Sequence, residues 1–126
     1  MKKQILLLNS DSTVAISYAQ QLNDEDYRIV IATTCADASA LLEHWRPDLI
    51  VVDWYMPDLD GDIWASALRL RPDFADVPIL MMIGRTLPRA ALNRLNDYRI
   101  ASCAVPHSAE AFGVTLTQML RSVNGS

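Results

Sequence analysis

Five short strand-like runs are spaced along this chain, and between each pair lies a segment with apolar residues at helical spacing. The runs are Ile5 to Leu8, Tyr27 to Ala32, Leu49 to Asp53, Val77 to Ile83 and Ile100 to Val105. The first, third and fourth are apolar almost throughout and are bounded by turn formers, the pattern of strands buried on both faces. Strands alternating with helices predict a doubly wound α/β fold with a parallel sheet. Right-handed crossovers then place helices on both faces of that sheet, giving three layers.

The intervening segments carry the start and stop signals of helices. Asn9-Ser10-Asp11-Ser12-Thr13 offers several N-cap residues before a helix expected to reach about Asn23, with Val14, Tyr18 and Leu22 on one face. Thr33-Thr34 cap a second helix whose expected apolar face is Ala38, Leu41, Leu42 and Trp45, and Arg46-Pro47-Asp48 ends it. A third helix is expected from about Gly61 to Arg71, capped by Asp60 and burying Ile63, Trp64, Ala67 and Leu68. A short fourth begins near Pro88, a favourable first-turn proline. Pro106-His107-Ser108 turns into a fifth, with Phe112, Leu116, Met119 and Val123 on one face. With 126 residues the chain reads as a single domain, 1–126, and no internal repeat or linker is visible.

Chemistry concentrates where the third strand ends. Pro47-Asp48-Leu49-Ile50-Val51-Val52-Asp53-Trp54-Tyr55-Met56-Pro57-Asp58-Leu59-Asp60-Gly61 runs a buried strand straight into an aspartate and then turns at Met56-Pro57 and Asp60-Gly61. An acid at the carboxyl end of a central parallel strand faces the crevice in which open α/β sheets bind ligands. Read plainly, Asp53 is a strand-end carboxylate capping the next turn. The segment resembles the phosphoacceptor segment of bacterial two-component response-regulator receiver domains, in which this aspartate accepts a phosphoryl group from a histidine kinase. The resemblance covers the whole chain. It implies the flavodoxin-like strand order 2-1-3-4-5, a role in phosphorelay signal transduction, and Asp53 as the candidate phosphoacceptor, the site of a 4-aspartylphosphate.

Receivers similar to this one usually hold a Mg²⁺ ion with two acids after the first strand. They also carry a Thr or Ser ending the fourth strand, an aromatic in the fifth, and a Lys before the proline that follows it. Here those positions fall on Asn9 and Ser10, on Ile83, on Ser102 and on Val105, with Asp11 the nearest acid to the first pair. Two formal negative charges are thereby missing from the expected cation cage, so Mg²⁺ should bind weakly or not at all. Without the lysine the phosphoryl oxygens lose a charged hydrogen bond, each such bond being worth roughly 1.5–3 kcal/mol. Asp53, for its part, escapes repulsion by neighbouring carboxylates. These departures mark an atypical receiver that acts mainly through protein–protein interaction.

A rebuilt phosphoacceptor site is the alternative, with the guanidinium of Arg85 or Arg99 replacing the lysine; both arginines otherwise read as solvated. A more distant alternative is a flavin-binding flavodoxin-like protein whose hydroxyl-rich loop at Asn9 to Thr13 cradles a phosphate. That loop lacks a glycine, and Asp11 would repel the anion. Asp58, Asp60 and Asp62 read as solvated loop residues and a helix cap. His44 and His107 have no metal spacing. No Ser-His-Asp set, Cys-His pair or glycine-rich nucleotide loop is present, so no enzyme activity, catalytic residue or metal site is expected.

Charge and composition narrow the partners. The net charge is −4, against affinity for nucleic acid or anionic membrane, and no apolar run approaches a bilayer span. Lys2-Lys3 leads directly into the first strand with too little apolar sequence for a signal peptide. Cys35 and Cys103 form no pattern and read as reduced, partly buried thiols, so a cytoplasmic location is expected. Residues 85–99 hold four arginines and one acid, Asp97. In receivers this face is where a sensor histidine kinase, a downstream effector or a dimer mate docks. A basic, partly apolar face suits an acidic partner, and a homodimer is also open.

Overall fold

The computed structural model describes residues 2–22, 24–106 and 108–124. Five parallel strands form one sheet: β1 (Lys3–Leu8), β2 (Tyr27–Ala32), β3 (Leu49–Asp53), β4 (Ile79–Ile83) and β5 (Ala101–Ala104). Five helices alternate with them: α1 (Ser12–Ala19), α2 (Cys35–Leu41), α3 (Gly61–Arg69), α4 (Arg89–Asp97) and α5 (Ala109–Asn124). The strand order is β2-β1-β3-β4-β5. The sense in which successive strands are added reverses between β1 and β3, so the crevice opens at their carboxyl ends, beside Asp53.

Two apolar layers hold the sheet between the helices. On one face Leu6, Leu8, Ile50, Val52, Ile79 and Met81 pack against α2, α3 and α4. On the other, Ile5, Leu7, Leu49, Val51, Leu80 and Met82 pack against α1 and α5. Alternate residues of each strand thus serve opposite layers, as period-two side chains must. β1 and β3 are buried from Ile5 to Leu8 and from Leu49 to Val52, which explains their unbroken apolar sequence. β5 is a thin edge, with Ala101, Ser102 and Ala104 exposed.

Several boundaries differ from the sequence expectation. α1 stops at Ala19, and Leu22 is buried from the turn beyond it. β4 begins at Ile79, because Pro78 has no N–H to give a ladder. Pro88 is the N-cap of α4, extended at ψ 154°, so that the first helical residue is Arg89. On α5 the buried face is Phe112, Leu116 and Leu120, with Met119 half-buried. The side chain of Val123, and Asn23 and His107 altogether, lie outside the described residues.

The largest revision concerns α3. Ile63 and Ala67 are exposed, and Gly61, Trp64, Ala65 and Leu68 face inward. The cause is Gly61. Its N–H donates to the Trp54 carbonyl at 2.8 Å, and a Cβ there would collide with the Asp53 carbonyl oxygen. The helix starts hard against the end of β3 with its glycine inward, and that contact fixes the rotation of all the rest. Trp64 packs inward as expected and donates its indole N–H to Ser39 Oγ at 2.9 Å. Trp45 packs, half-buried, against the same layer.

Candidate functional site

Asp53 ends β3 opposite Met82 of β4, and the backbone turns immediately beyond it: Trp54 N–H donates to Met82 O at 3.0 Å. The Asp53 carboxylate is half-buried and accepts Tyr55 N–H at 3.2 Å. Burial pushes its pKa up, opposed by the neighbouring backbone amides of Tyr55 and Trp54. Tyr18 reaches the same neighbourhood from α1, stacked on Phe112 with ring centroids 4.3 Å apart. Burial, then the charge of Asp53, then Cys103, push its phenol up. Tyr18 read from sequence as a core residue only, since nothing in helical spacing tells which end of a buried ring meets the sheet edge.

The loop after β1 brings Asn9, Ser10 and Asp11 to this end of the sheet, each with its own task. Asn9 is 5% exposed, and its Oδ1 accepts Asp11 N–H at 2.9 Å. Ser10 is exposed. Asp11 is the N-cap of α1, its Oδ1 accepting Thr13 N–H at 3.0 Å and Val14 N–H at 3.2 Å. The first-turn amides that could hold a phosphate are therefore already bonded to a carboxylate. Among the described residues no three His, Cys, Asp or Glu side chains come together to hold a metal ion. A hard cation seeking several oxygen anions is offered one strand-end carboxylate, an amide and a hydroxyl, and that donor set does not fit it.

β4 and β5 close the other wall. Ile83 and Ala104 are register partners, and Val105 N–H donates to Ile83 O at 3.1 Å. Val105 Cγ2 lies over Gly84, 3.6 Å from where a Cβ would stand. Ile83, Gly84 and Val105 thus form an apolar shoulder beside Asp53. Ser102 is exposed on the edge strand.

The two arginines considered as replacements behave differently. Arg99 does not reach Asp53: it precedes β5 at the amino end of the sheet, in a left-handed conformation with φ 56°, and its Nη2 donates to Ala75 O at 2.9 Å. Arg85 does stand on the Asp53 rim, but it lies over the Tyr55 ring, 5.4 Å from the centroid, and makes no ion pair with Asp53.

The acidic cluster after Asp53 divides three ways. Asp58 is exposed, yet its two oxygens accept Cys35 N–H and Ala36 N–H, both at 2.9 Å, so it completes the N-terminus of α2 from across the crevice. Those amides hold its pKa below the usual carboxylate range. Asp60 occupies the N-cap position of α3 but makes no side-chain cap bond. Asp62 is not solvated: it is 2% exposed and pairs with Arg94 of α4 at 2.9 Å. The sequence did hold a signal for this, since Asp62, Ser66 and Arg69 recur at helical spacing and mark a polar side of α3. Cys35 and Cys103 are both free thiols. Among the described residues no helix is long and apolar enough to cross a membrane.

A sheet of this order, with a lone acid at the end of β3 and a tight β3–α3 turn, defines a receiver-like α/β domain. The model of the response regulator receiver domain family matches residues 5–101, and the chain belongs to that family, a component of two-component signalling. It is 34% identical over 85 residues to the response regulator MprA of Mycobacterium sp. strain KMS, covering 68% of this chain and 36% of that protein. It is 27% identical over 85 residues to the response regulator protein GraR of Staphylococcus epidermidis, covering 68% of this chain and 37% of that one. The chain thus spans little more than a third of the length of these curated relatives. Among solved structures, the chemotaxis response regulator CheY4 of Vibrio cholerae superposes with a TM-score of 0.81 at 22% identity, covering 94% of this chain and 98% of that one. A putative response regulator from Chloroflexus aurantiacus superposes with a TM-score of 0.82 at 20% identity, each chain covered completely. At those identities the likeness is one of fold.

Proposed function

We propose that this receiver domain is atypical: it works in the cytoplasm as a protein-interaction module of a two-component or phosphorelay system, and phosphorylation of Asp53 is slow or absent. The observation that carries this reading is the company Asp53 keeps. Asn9 and Ser10 stand in the loop after β1, Ile83 and Val105 form the facing wall, and the acid next to Ser10, Asp11, is committed to capping α1. Mg²⁺ binds weakly or not at all for want of anionic ligands, and a phosphoryl group on Asp53 would meet no fixed cation. The domain has no catalytic residue of its own.

The partner is a sensor histidine kinase or a downstream effector presenting acidic groups. It docks on the face from Arg85 through α4, where Arg85 and Arg89 are exposed and Leu92 is 42% exposed beside them. Neither nucleic acid nor membrane is a partner. A second reading, a rebuilt phosphoacceptor, is favoured by one observation: Arg85 already stands at the rim over Tyr55, two residues from Asp53.

Incubation with a small-molecule phosphodonor and Mg²⁺, followed by intact-mass measurement, separates the two. The expected result is no phosphoryl adduct on the time scale of the incubation. A stoichiometric adduct that disappears in Asp53→Ala overturns the atypical reading, and its further loss in Arg85→Ala would assign the cation.

A further inference from the structure

We infer that the Asp62–Arg94 ion pair is a clamp that fixes where α4 sits on α3, and that it withdraws Arg94 from the charges α4 can offer a partner. Asp62 projects from the first turn of α3 with its side chain 3% exposed, whereas Arg94 reaches it from a position 49% exposed. Asp62 Oδ2 accepts Arg94 Nη1 at 2.9 Å. Asp62 Oδ1 and, one helical turn along, Ser66 Oγ are both buried with no hydrogen-bond partner among the described residues. Among the described residues the buried carboxylate is therefore held by a single guanidinium, and its second oxygen has no hydrogen-bond partner.

The pair matters because α4 buries little of its own, Arg69 holding only its C-terminal end through the Tyr98 carbonyl. Leu95 is its one fully buried residue, and Pro88 at its N-cap gives no side-chain bond. α3, by contrast, buries six residues. Elements with few buried apolar groups are those that open locally. When α4 is in place, Arg94 neutralises Asp62 through a charge-assisted hydrogen bond. When Arg94 is drawn away, a desolvated carboxylate is left without compensation, and the docked position of α4 becomes unfavourable until water reaches the gap. A carboxylate from a partner that captured Arg94 would therefore dislodge α4. A partner that leaves α4 in place is met by Arg85 and Arg89 instead. The clamp stands whether or not Asp53 is phosphorylated, so it and the reading of the site fail separately.

Native-state hydrogen exchange of the full chain tests this, with Arg89→Met as the control. Arg89 is exposed on the same helix and makes no ion pair among the described residues. Arg94→Met should speed exchange of the α4 amides on the order of a hundredfold, the scale set by a buried charge losing its partner. Arg89→Met should change it by no more than about twofold, as for an ordinary surface substitution. Combining Asp62→Leu with Arg94→Leu should restore slow exchange, because no unpaired charge remains. Should Arg94→Met fail to fold, Arg94→Lys keeps the charge and should give intermediate exchange. Equal exchange in Arg94→Met and Arg89→Met, or additive effects of Asp62→Leu and Arg94→Leu, overturns the clamp.

Discussion

The two ends of the sheet treat a half-buried or buried charge in opposite ways. At the amino end, Arg69 of α3 is 7% exposed and saturated. Its guanidinium donates to the carbonyls of Tyr98, Phe74, Ala75, Val77 and Arg99, at distances from 2.6 to 3.2 Å. These are the loops that lead into β4 and β5, so one side chain ties both crossovers to α3. Burial, then the neighbouring charge of Arg99, push its pKa down, while Asp76 opposes them. At the carboxyl end, Asp53 is met by the backbone amides of Tyr55, at 3.2 Å, and of Trp54. Fixed dipoles can carry a buried charge when enough of them converge, and the two amides at Asp53 do not outweigh its burial. The amino end is built to stay shut, and the carboxyl end leaves its charge open to whatever approaches.

Arg69→Met strikes the saturated end and should have the largest effect. Several buried carbonyls lose their donor together, each unsatisfied acceptor costing about 1–3 kcal/mol, so a loss of about 3–4 kcal/mol is expected in urea denaturation. Arg69→Lys should recover only part, since a point charge cannot reach carbonyls spread over two loops. A loss below about 1 kcal/mol would mean that the loops hold themselves, and the contrast between the ends would collapse.

Gly61→Ala comes next and strikes the open end through its backbone. The added Cβ would meet the Asp53 carbonyl oxygen and Val52 Cγ2, and a packed junction must move. Overpacking of this kind costs about 1–3 kcal/mol, and thermal unfolding measures it.

Asp53→Asn should act with the opposite sign. Burial raises the pKa of Asp53, so the folded domain holds that proton more tightly than the unfolded chain does. Stability from this group is therefore greatest below the unfolded carboxylate range and falls as pH rises through the raised value. The asparagine variant should be more stable than the parent at neutral pH and lose the advantage in acid. Urea midpoints across the acid range check the sign, and a variant less stable at neutral pH would show that the amides of Tyr55 and Trp54 outweigh the burial of Asp53. Arg85→Ala should be smallest: an exposed cation–π contact is worth about 0.5–1 kcal/mol.

The sequence was most informative where one residue type answers one physical demand. Buried parallel strands need unbroken apolar runs, and Leu49 to Val52 could be little else. The capping segments Asn9 to Thr13 and Thr33-Thr34 were recognisable by residue type, and within them the structure selects Asp11 and Thr34. The resemblance aligned Asn9, Ser10, Ile83 and Val105 with the receiver positions around the phosphoacceptor, and the parallel strand order brings the segments that carry them to the same end of the sheet as Asp53. What stayed hidden depends on pairings distant in sequence. Arg69 sits at the end of an ordinary helical pattern, and nothing local says that five carbonyls from residues 74–99 will surround it. Asp62 looked like one of three solvated acids until the rotation of α3, set by Gly61, turned it toward Arg94. Arg99 was judged by its distance along the chain from the fifth strand, whereas the direction of a parallel strand puts it at the far end from Asp53.

The bond from Asp58 to α2 has a practical outcome. Cys35 lies under that bridge, its thiol 3.6 Å from the Leu59 carbonyl, and burial together with Asp58 pushes its pKa up to about 12. Such a thiol is almost never a thiolate, and alkylating reagents attack thiolates. Reaction of Cys35, in a Cys103→Ser background, thus awaits the moment when the turn beyond Asp53 lifts from α2. Its alkylation rate is a readout, native to the chain, of how often that turn unlatches, and loosening the bridge with Asp58→Asn should quicken it.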